Sequence, residues 1–210
     1  MAGMDLGLGV VRDDVMAPGT AEDIDLLRGA EYGLLAVLLG AAPTADLLRQ
    51  VSGLRGDVSA LGLAHIDLAT AAERADETTV GREYFNLFIG VGRGELLPYG
   101  SYYQTGFLHE RPLARVREDL ALLGVERAGH MREPEDHIAI LCEVMAGFAR
   151  GDFDADLAAQ ARFFERHLAP WAPRFFADLE TTQAATFYKS VGRLGRTFME
   201  LESEAFTLPH

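Results

Sequence analysis

Apolar residues in this chain recur at intervals of three and four, and that spacing constrains the fold more than any other feature. Leu27, Ala30, Leu34 and Val37 are separated by three, four and three positions, and Ile138, Leu141, Met145 and Phe148 repeat the pattern. Val80, Tyr84, Leu87 and Phe88 fall on one side of a helix in the same way. An α-helix turns once every 3.6 residues, so each set is a face that has to be buried against another element. Strand signals are poor, since no Asn-Gly or Asp-Gly pair joins two alternating runs. The expected fold is all-α, a single globular bundle of about nine helices.

The punctuation residues place those helices. They are expected from Thr20 or Asp23 to Gly40, from a Thr44 cap to Val51, over Asp57–Ala75 and over Glu77–Ile89. Further helices follow over Pro112–Leu123, Pro134–Arg150, Asp154–Leu168 and Trp171–Glu180. A last one, capped by Thr181 or Thr182, should reach Glu204. The clearest interruption is Gly90-Val-Gly-Arg-Gly followed by Leu97-Pro98-Tyr99-Gly100, a Gly/Pro-rich hinge loop near 90–101 between two helical halves. Residues 1–20, rich in Gly and Asp and without a period, read as a flexible N-terminal arm ahead of a helical domain over 21–210.

Charge limits the partners. Asp and Glu outnumber Lys and Arg by 32 to 19, a formal net charge of −13. Such a surface repels nucleic acid and anionic lipid and attracts a basic partner, although acidity alone also serves solubility. The single cysteine, Cys142, sits in an apolar run and permits neither an internal disulfide nor a cysteine metal cluster. The most hydrophobic run, Tyr32 to Ala42, is about half the length that a bilayer requires. No signal peptide is evident. The expectation is a cytoplasmic protein without stable membrane insertion.

Three segments could carry function. Glu133-Pro134-Glu135-Asp136-His137 precedes an amphipathic run. Proline and acids suit a helix start, but a histidinium gains nothing there, so His137 asks for another explanation. Tyr84, Leu87 and Phe88 form a stripe that is core when covered and a groove when not. The glycines of residues 90–100 suggest a phosphate loop, but there is no Gly-Lys-Ser/Thr and no preceding strand. Metal and nucleophile signatures are lacking too: there is no His-Glu-x-x-His and no Gly-x-Ser-x-Gly.

Together these segments resemble the TorD/DmsD family of redox enzyme maturation chaperones. Glu83-Tyr84-x-x-Leu87-Phe88 is similar to the family's aromatic-x-x-Leu-Phe motif, and Glu133-Pro134-x-Asp136-His137 matches its Glu-Pro-x-Asp-His motif in full. Leu97-Pro98-Tyr99-x-Ser101-x-Tyr103 resembles its Pro-Tyr-x-Ser loop, and Phe164-x-x-His167-Leu168-x-Pro170-Trp171 is also similar. The resemblance implies an all-helical, non-catalytic chaperone that binds the twin-arginine leader of a molybdoenzyme while its cofactor is inserted. Leader contacts would come from Tyr84, Leu87, Phe88, Pro98, Tyr99, Ser101, Glu133, Pro134, Asp136 and His137. The family further implies no resident cofactor, weak guanine nucleotide binding in some members, and a monomer or a helix-exchanged dimer. A rival reading from the residues alone is a small-molecule or nucleotide-hydrolysing enzyme using Glu133, Asp136 and His137 as acid–base groups. Another is a general scaffold without leader specificity.

Overall fold

A computed structural model describes residues 20–125, 133–153 and 155–207. The arm expected over residues 1–20 lies outside them except for Thr20, and so does Asp154, the expected start of a helix. The described residues form ten α-helices and no β-strand. They are α1 (Ala21–Gly40), α2 (Ala45–Ser52), α3 (Ala60–Glu73), α4 (Glu77–Tyr84) and α5 (Gly100–Thr105). After them come α6 (Arg111–Leu122), α7 (Ile138–Arg150), α8 (Leu157–His167), α9 (Ala172–Thr181) and α10 (Phe187–Thr207). No described helix is long and apolar enough to cross a membrane.

Local chemistry starts α1, α2 and α4 where the sequence predicts, whereas α3 and α8 begin three residues beyond the expected Asp57 and Asp154. Thr20 and Asp23 form a capping box on α1, and Thr44 accepts from the Leu47 N–H at the start of α2. Ser59, Asp76 and Asp156 cap α3, α4 and α8 in the same manner. The tenth helix, α5, is not among the expected ones: it begins at the end of the expected hinge loop, at Gly100, and runs to Thr105. Neither Thr181 nor Thr182 caps the last helix, which begins five residues beyond Thr182, at Phe187.

α7 is the central helix. Ile138, Leu141, Cys142 and Met145 are fully buried, and α7 packs chiefly on α1. On α1 the buried face is rotated from the expected one: Tyr32, Leu35, Leu38 and Leu39 are buried beside the expected Leu34, while Leu27 and Ala30 are exposed. α9 and α10 approach closely because α10 carries Gly192 and Gly195 at the contact. A Cβ on Gly192 would lie 2.5 Å from the Glu180 nitrogen, and one on Gly195 would lie 2.2 Å from the Phe176 ring. Beneath the surface, Arg28 of α1 holds the Glu202 carboxylate of α10 in two bonds of 2.8 and 2.9 Å. The Tyr32 hydroxyl donates to the same carboxylate at 2.9 Å, and Arg28 reaches Gln160 of α8 at 3.2 Å. The buried charges are thereby paired and hydrogen-bonded, which burial demands.

Candidate functional site

The helical path continues beyond the end of α4 at Tyr84. The chain widens into one π-helical turn over Phe85–Ile89, closed by the Gly90 N–H donating to the Phe85 carbonyl at 2.6 Å. Gly90 adopts φ +62°, a left-handed conformation that other residues resist. The glycine segment then folds back along the turn, with the Leu96 N–H on the Leu87 carbonyl at 2.8 Å. Gly94 permits this approach, since a Cβ there would lie 2.6 Å from the Leu87 oxygen. These glycines therefore serve a close backbone crossing.

Beyond the crossing, the chain meets the Glu133–His137 segment. Tyr99 and His137 pair as an isolated antiparallel bridge. The Gly100 N–H donates to the Asp136 carbonyl, and the Ile138 N–H to the Pro98 carbonyl, both at 2.9 Å. Pro134 to Asp136 form a turn, closed by the His137 N–H on the Pro134 carbonyl at 3.0 Å. The helix expected from Pro134 thus begins four residues later, at Ile138.

His137 is its cap. The imidazole Nδ1 accepts from the Ala139 N–H at 3.2 Å, which requires a neutral ring. A histidinium gains nothing at a helix start, but the neutral imidazole is an acceptor, and helix capping therefore does explain His137. Burial lowers the His137 pKa to about 4, outweighing the opposite pull of Glu133 and Asp136. The Tyr99 ring lies edge-on to this imidazole at 5.0 Å.

The acids of the two motifs go to different places. Asp136 is 1% exposed, and its Oδ2 accepts the Ser101 N–H at 2.7 Å, at the start of α5. Asp136 Oδ1 and the Ser101 hydroxyl are buried without a hydrogen-bond partner among the described residues. Glu83, also buried, caps α10: Oε1 accepts from Thr186 and Tyr188 at 2.8 and 2.7 Å, and Oε2 accepts from Phe187 at 3.2 Å. Nothing local in the sequence marks Glu83 for that part. Glu133 is exposed and accepts from the Tyr99 hydroxyl at 2.5 Å. Glu135 accepts from Arg117 of α6 at 2.8 Å.

The aromatic stripe divides. Leu87 is fully buried in the core, whereas Tyr84 and Phe88 are half-buried. Tyr84 packs edge-on to Phe88 at 5.1 Å, Phe88 meets Tyr188 and Phe175 at 5.2 and 6.5 Å, and Phe175 meets Tyr103 at 5.9 Å. Tyr103 continues the row to Trp171 at 5.5 Å and donates to Asp178 at 3.0 Å. Burial and then the Glu133 charge push the Tyr84 phenol up to about 12; burial and its bond to Glu133 raise Tyr99 as well. Tyr84, Tyr99 and Glu133 therefore share one neighbourhood, with Asp136 and His137 beneath it. Of the remaining expected residues, Pro98 and Ser101 are buried and Pro134 is partly buried. Phe85 and Ile89, on the outer side of the π-turn, and Val91, just beyond it, are exposed.

Two clefts lie outside this neighbourhood. One of about 540 Å³ runs between α6 and α8, lined by Asp119, Leu122, Phe163 and Arg166 among others; one of about 390 Å³ opens beside Gly81 and Phe85. No group of acidic, His and Cys side chains among the described residues could hold a metal ion. Asp136 and His137 each accept one backbone N–H, Asp136 through Oδ2 and His137 through Nδ1.

Comparison with known proteins bears on this arrangement. A sequence model of the family described as nitrate reductase delta subunit matches residues 55–177, more than half of the chain. The chain is 31% identical over 186 residues to chaperone protein TorD of Vibrio cholerae serotype O1, an alignment covering 84% of this chain and 80% of that protein. It is 27% identical over 198 residues to chaperone protein TorD of Aliivibrio fischeri, covering 83% and 92% respectively. A solved structure of a protein assigned to redox enzyme maturation in Archaeoglobus fulgidus shares the fold. Its TM-score is 0.55 over 90% of this chain and 99% of that one, at 22% identity.

Proposed function

Because the chain belongs to the nitrate reductase delta subunit family, whose TorD/DmsD-type members are redox enzyme maturation chaperones, we propose that it binds the twin-arginine leader of a molybdoenzyme in the cytoplasm and attends cofactor insertion before export. The observation that carries this reading is the exposed carboxylate of Glu133, which accepts from the half-buried Tyr99 phenol at 2.5 Å and lies near enough to Tyr84, at the end of an aromatic row, for its charge to raise that phenol. A twin-arginine leader is basic at its head and apolar in its middle. A carboxylate accepts an arginine in a planar, two-pronged geometry, and aromatic walls take both the guanidinium face and the apolar residues that follow. The net charge of −13 steers such a partner inward. In this reading Tyr84, Phe88, Tyr99 and Glu133 form the surface. Leu87, Pro98, Ser101, Pro134, Asp136 and His137 lie beneath or beside it. The partner is the apo form of the catalytic subunit that carries the leader. No resident cofactor is required; weak guanine nucleotide binding would be a separable property, read by repeating the titration with GTP present.

The test is calorimetric titration of the full chain with the leader peptides of the twin-arginine molybdoenzymes encoded in the same genome. One leader is expected to bind, more weakly when both arginines are lysine, more weakly with Glu133→Gln, and less tightly as salt rises. Binding of none of these leaders by well-folded protein overturns the reading.

A further inference from the structure

We infer that Asp136 is a positioning residue: it acts on the leader site by capping α5, and so sets Tyr99 against Glu133, without itself meeting the leader. The inference rests on the leader-binding reading, and its test separates the two.

α5 has six residues, far too few to be stable by itself. Its own N-cap residue, Tyr99, supplies no side-chain acceptor. The side-chain oxygen that meets its first turn comes instead from 35 residues further along, where Asp136 Oδ2 takes the Ser101 N–H in a buried bond of 2.7 Å. The two backbone bonds of 2.9 Å, Gly100 to Asp136 and Ile138 to Pro98, clamp the same place from either side. Tyr99 is the residue held between them. Its ring rests on His137, and its hydroxyl reaches Glu133. A loss of the Asp136 cap would free the start of α5 and with it the orientation of Tyr99. Asp136 itself is 1% exposed, so a leader arginine could reach its Oδ1 only if the bridge opened.

Charge and geometry can be separated at this position. Asparagine retains an oxygen that accepts the Ser101 N–H but carries no charge; alanine retains neither. Asp136→Ala is expected to weaken leader binding per folded molecule about tenfold, the factor that loss of one helix cap represents. It should also speed amide exchange over residues 100–105. Asp136→Asn should recover most of both losses and keep the salt dependence of the natural protein. Glu133→Gln, by contrast, should flatten that dependence while leaving exchange in α5 alone. The inference is overturned if Asp136→Asn binds as poorly as Asp136→Ala and flattens the salt dependence with α5 still protected, because Asp136 would then be an ionic contact. It is equally overturned if exchange over 100–105 in Asp136→Ala matches the natural protein. Should Asp136→Ala not fold, the contrast of Asp136→Asn with Glu133→Gln decides the matter. If the unaltered chain binds no leader, the functional reading fails and the exchange rates still judge the cap.

Discussion

Glu83 and Asp136 are both buried carboxylates that cap a helix distant in sequence, yet they are satisfied to different degrees. Glu83 accepts three backbone N–H groups at the start of α10 and has both oxygens engaged. Asp136 accepts one at the start of α5 and keeps a buried oxygen without a partner among the described residues. A saturated acid holds a long helix of 21 residues, and a half-satisfied one holds a short helix of six beside the candidate site. The acids of two motifs thus share one chemistry and still serve different ends. One fixes the frame, and the other holds a short element beside the candidate site.

The contrast is most exposed to attack at Glu83. Replacement by alanine leaves three donors, two of them buried, without an acceptor and should cost about 3 kcal/mol in chemical denaturation, with Glu83→Gln intermediate. A loss near zero would erase the distinction between the two acids.

The next largest effect concerns His137, which shares the bridge with Asp136. Its folded pKa lies below the unfolded value of about 6.5. Stability is therefore fully present above about 6.5 and falls as pH drops toward the folded value, because only the unfolded chain takes up the proton. The natural protein should lose on the order of 2 kcal/mol by pH 5 relative to His137→Asn, which caps without titrating. Parallel stability curves for the two proteins between pH 7 and pH 5 would show that the ring is not held neutral.

Asp136→Ala should cost about 1–2 kcal/mol, less than the Glu83 change, since one donor is orphaned instead of three. Equal or greater loss than at Glu83 would reverse the comparison. Tyr99→Phe removes only a hydrogen bond near the surface and should change stability by less than about 1 kcal/mol. A melting temperature lowered as far as in Asp136→Ala would make Tyr99 a structural prop instead of part of the site's wall.

The all-α fold was legible because its cause is periodic: faces such as Ile138, Leu141, Met145 and Phe148 state both the helix and its buried side. Caps made by near neighbours were legible as well, as at Thr44. What escaped is what depends on distant partners. α5 contains glycine, serine and two tyrosines and has no strong propensity; it exists beside Asp136, and no local window contains that carboxylate. The cap of α10 was sought at Thr181 or Thr182 because a cap is normally adjacent, whereas the acceptor is Glu83. Leu27 was placed on the inner face of α1 by a spacing that Tyr32, Leu35 and Leu39 satisfy in another register. In the candidate site, the nearness of Tyr84, Tyr99 and Glu133 followed from family resemblance and not from any spacing, since nothing in a linear pattern brings positions 84 and 133 together.

The bond between Glu83 and α10 also bears on the order in which the chain completes itself during synthesis. Its partners lie 103 to 105 residues downstream. While the first half of the chain leaves the ribosome, α4 carries a carboxylate whose eventual acceptor role cannot yet be filled. The side chain must stay in water until the last helix arrives. Arg28 and Asp67 wait similarly for Glu202 and Arg193 of that helix. Contacts of such separation are late and slow to form. α10 thus acts as a closing bolt: a nascent chain that has not yet made it remains loose however much of its other helix has formed.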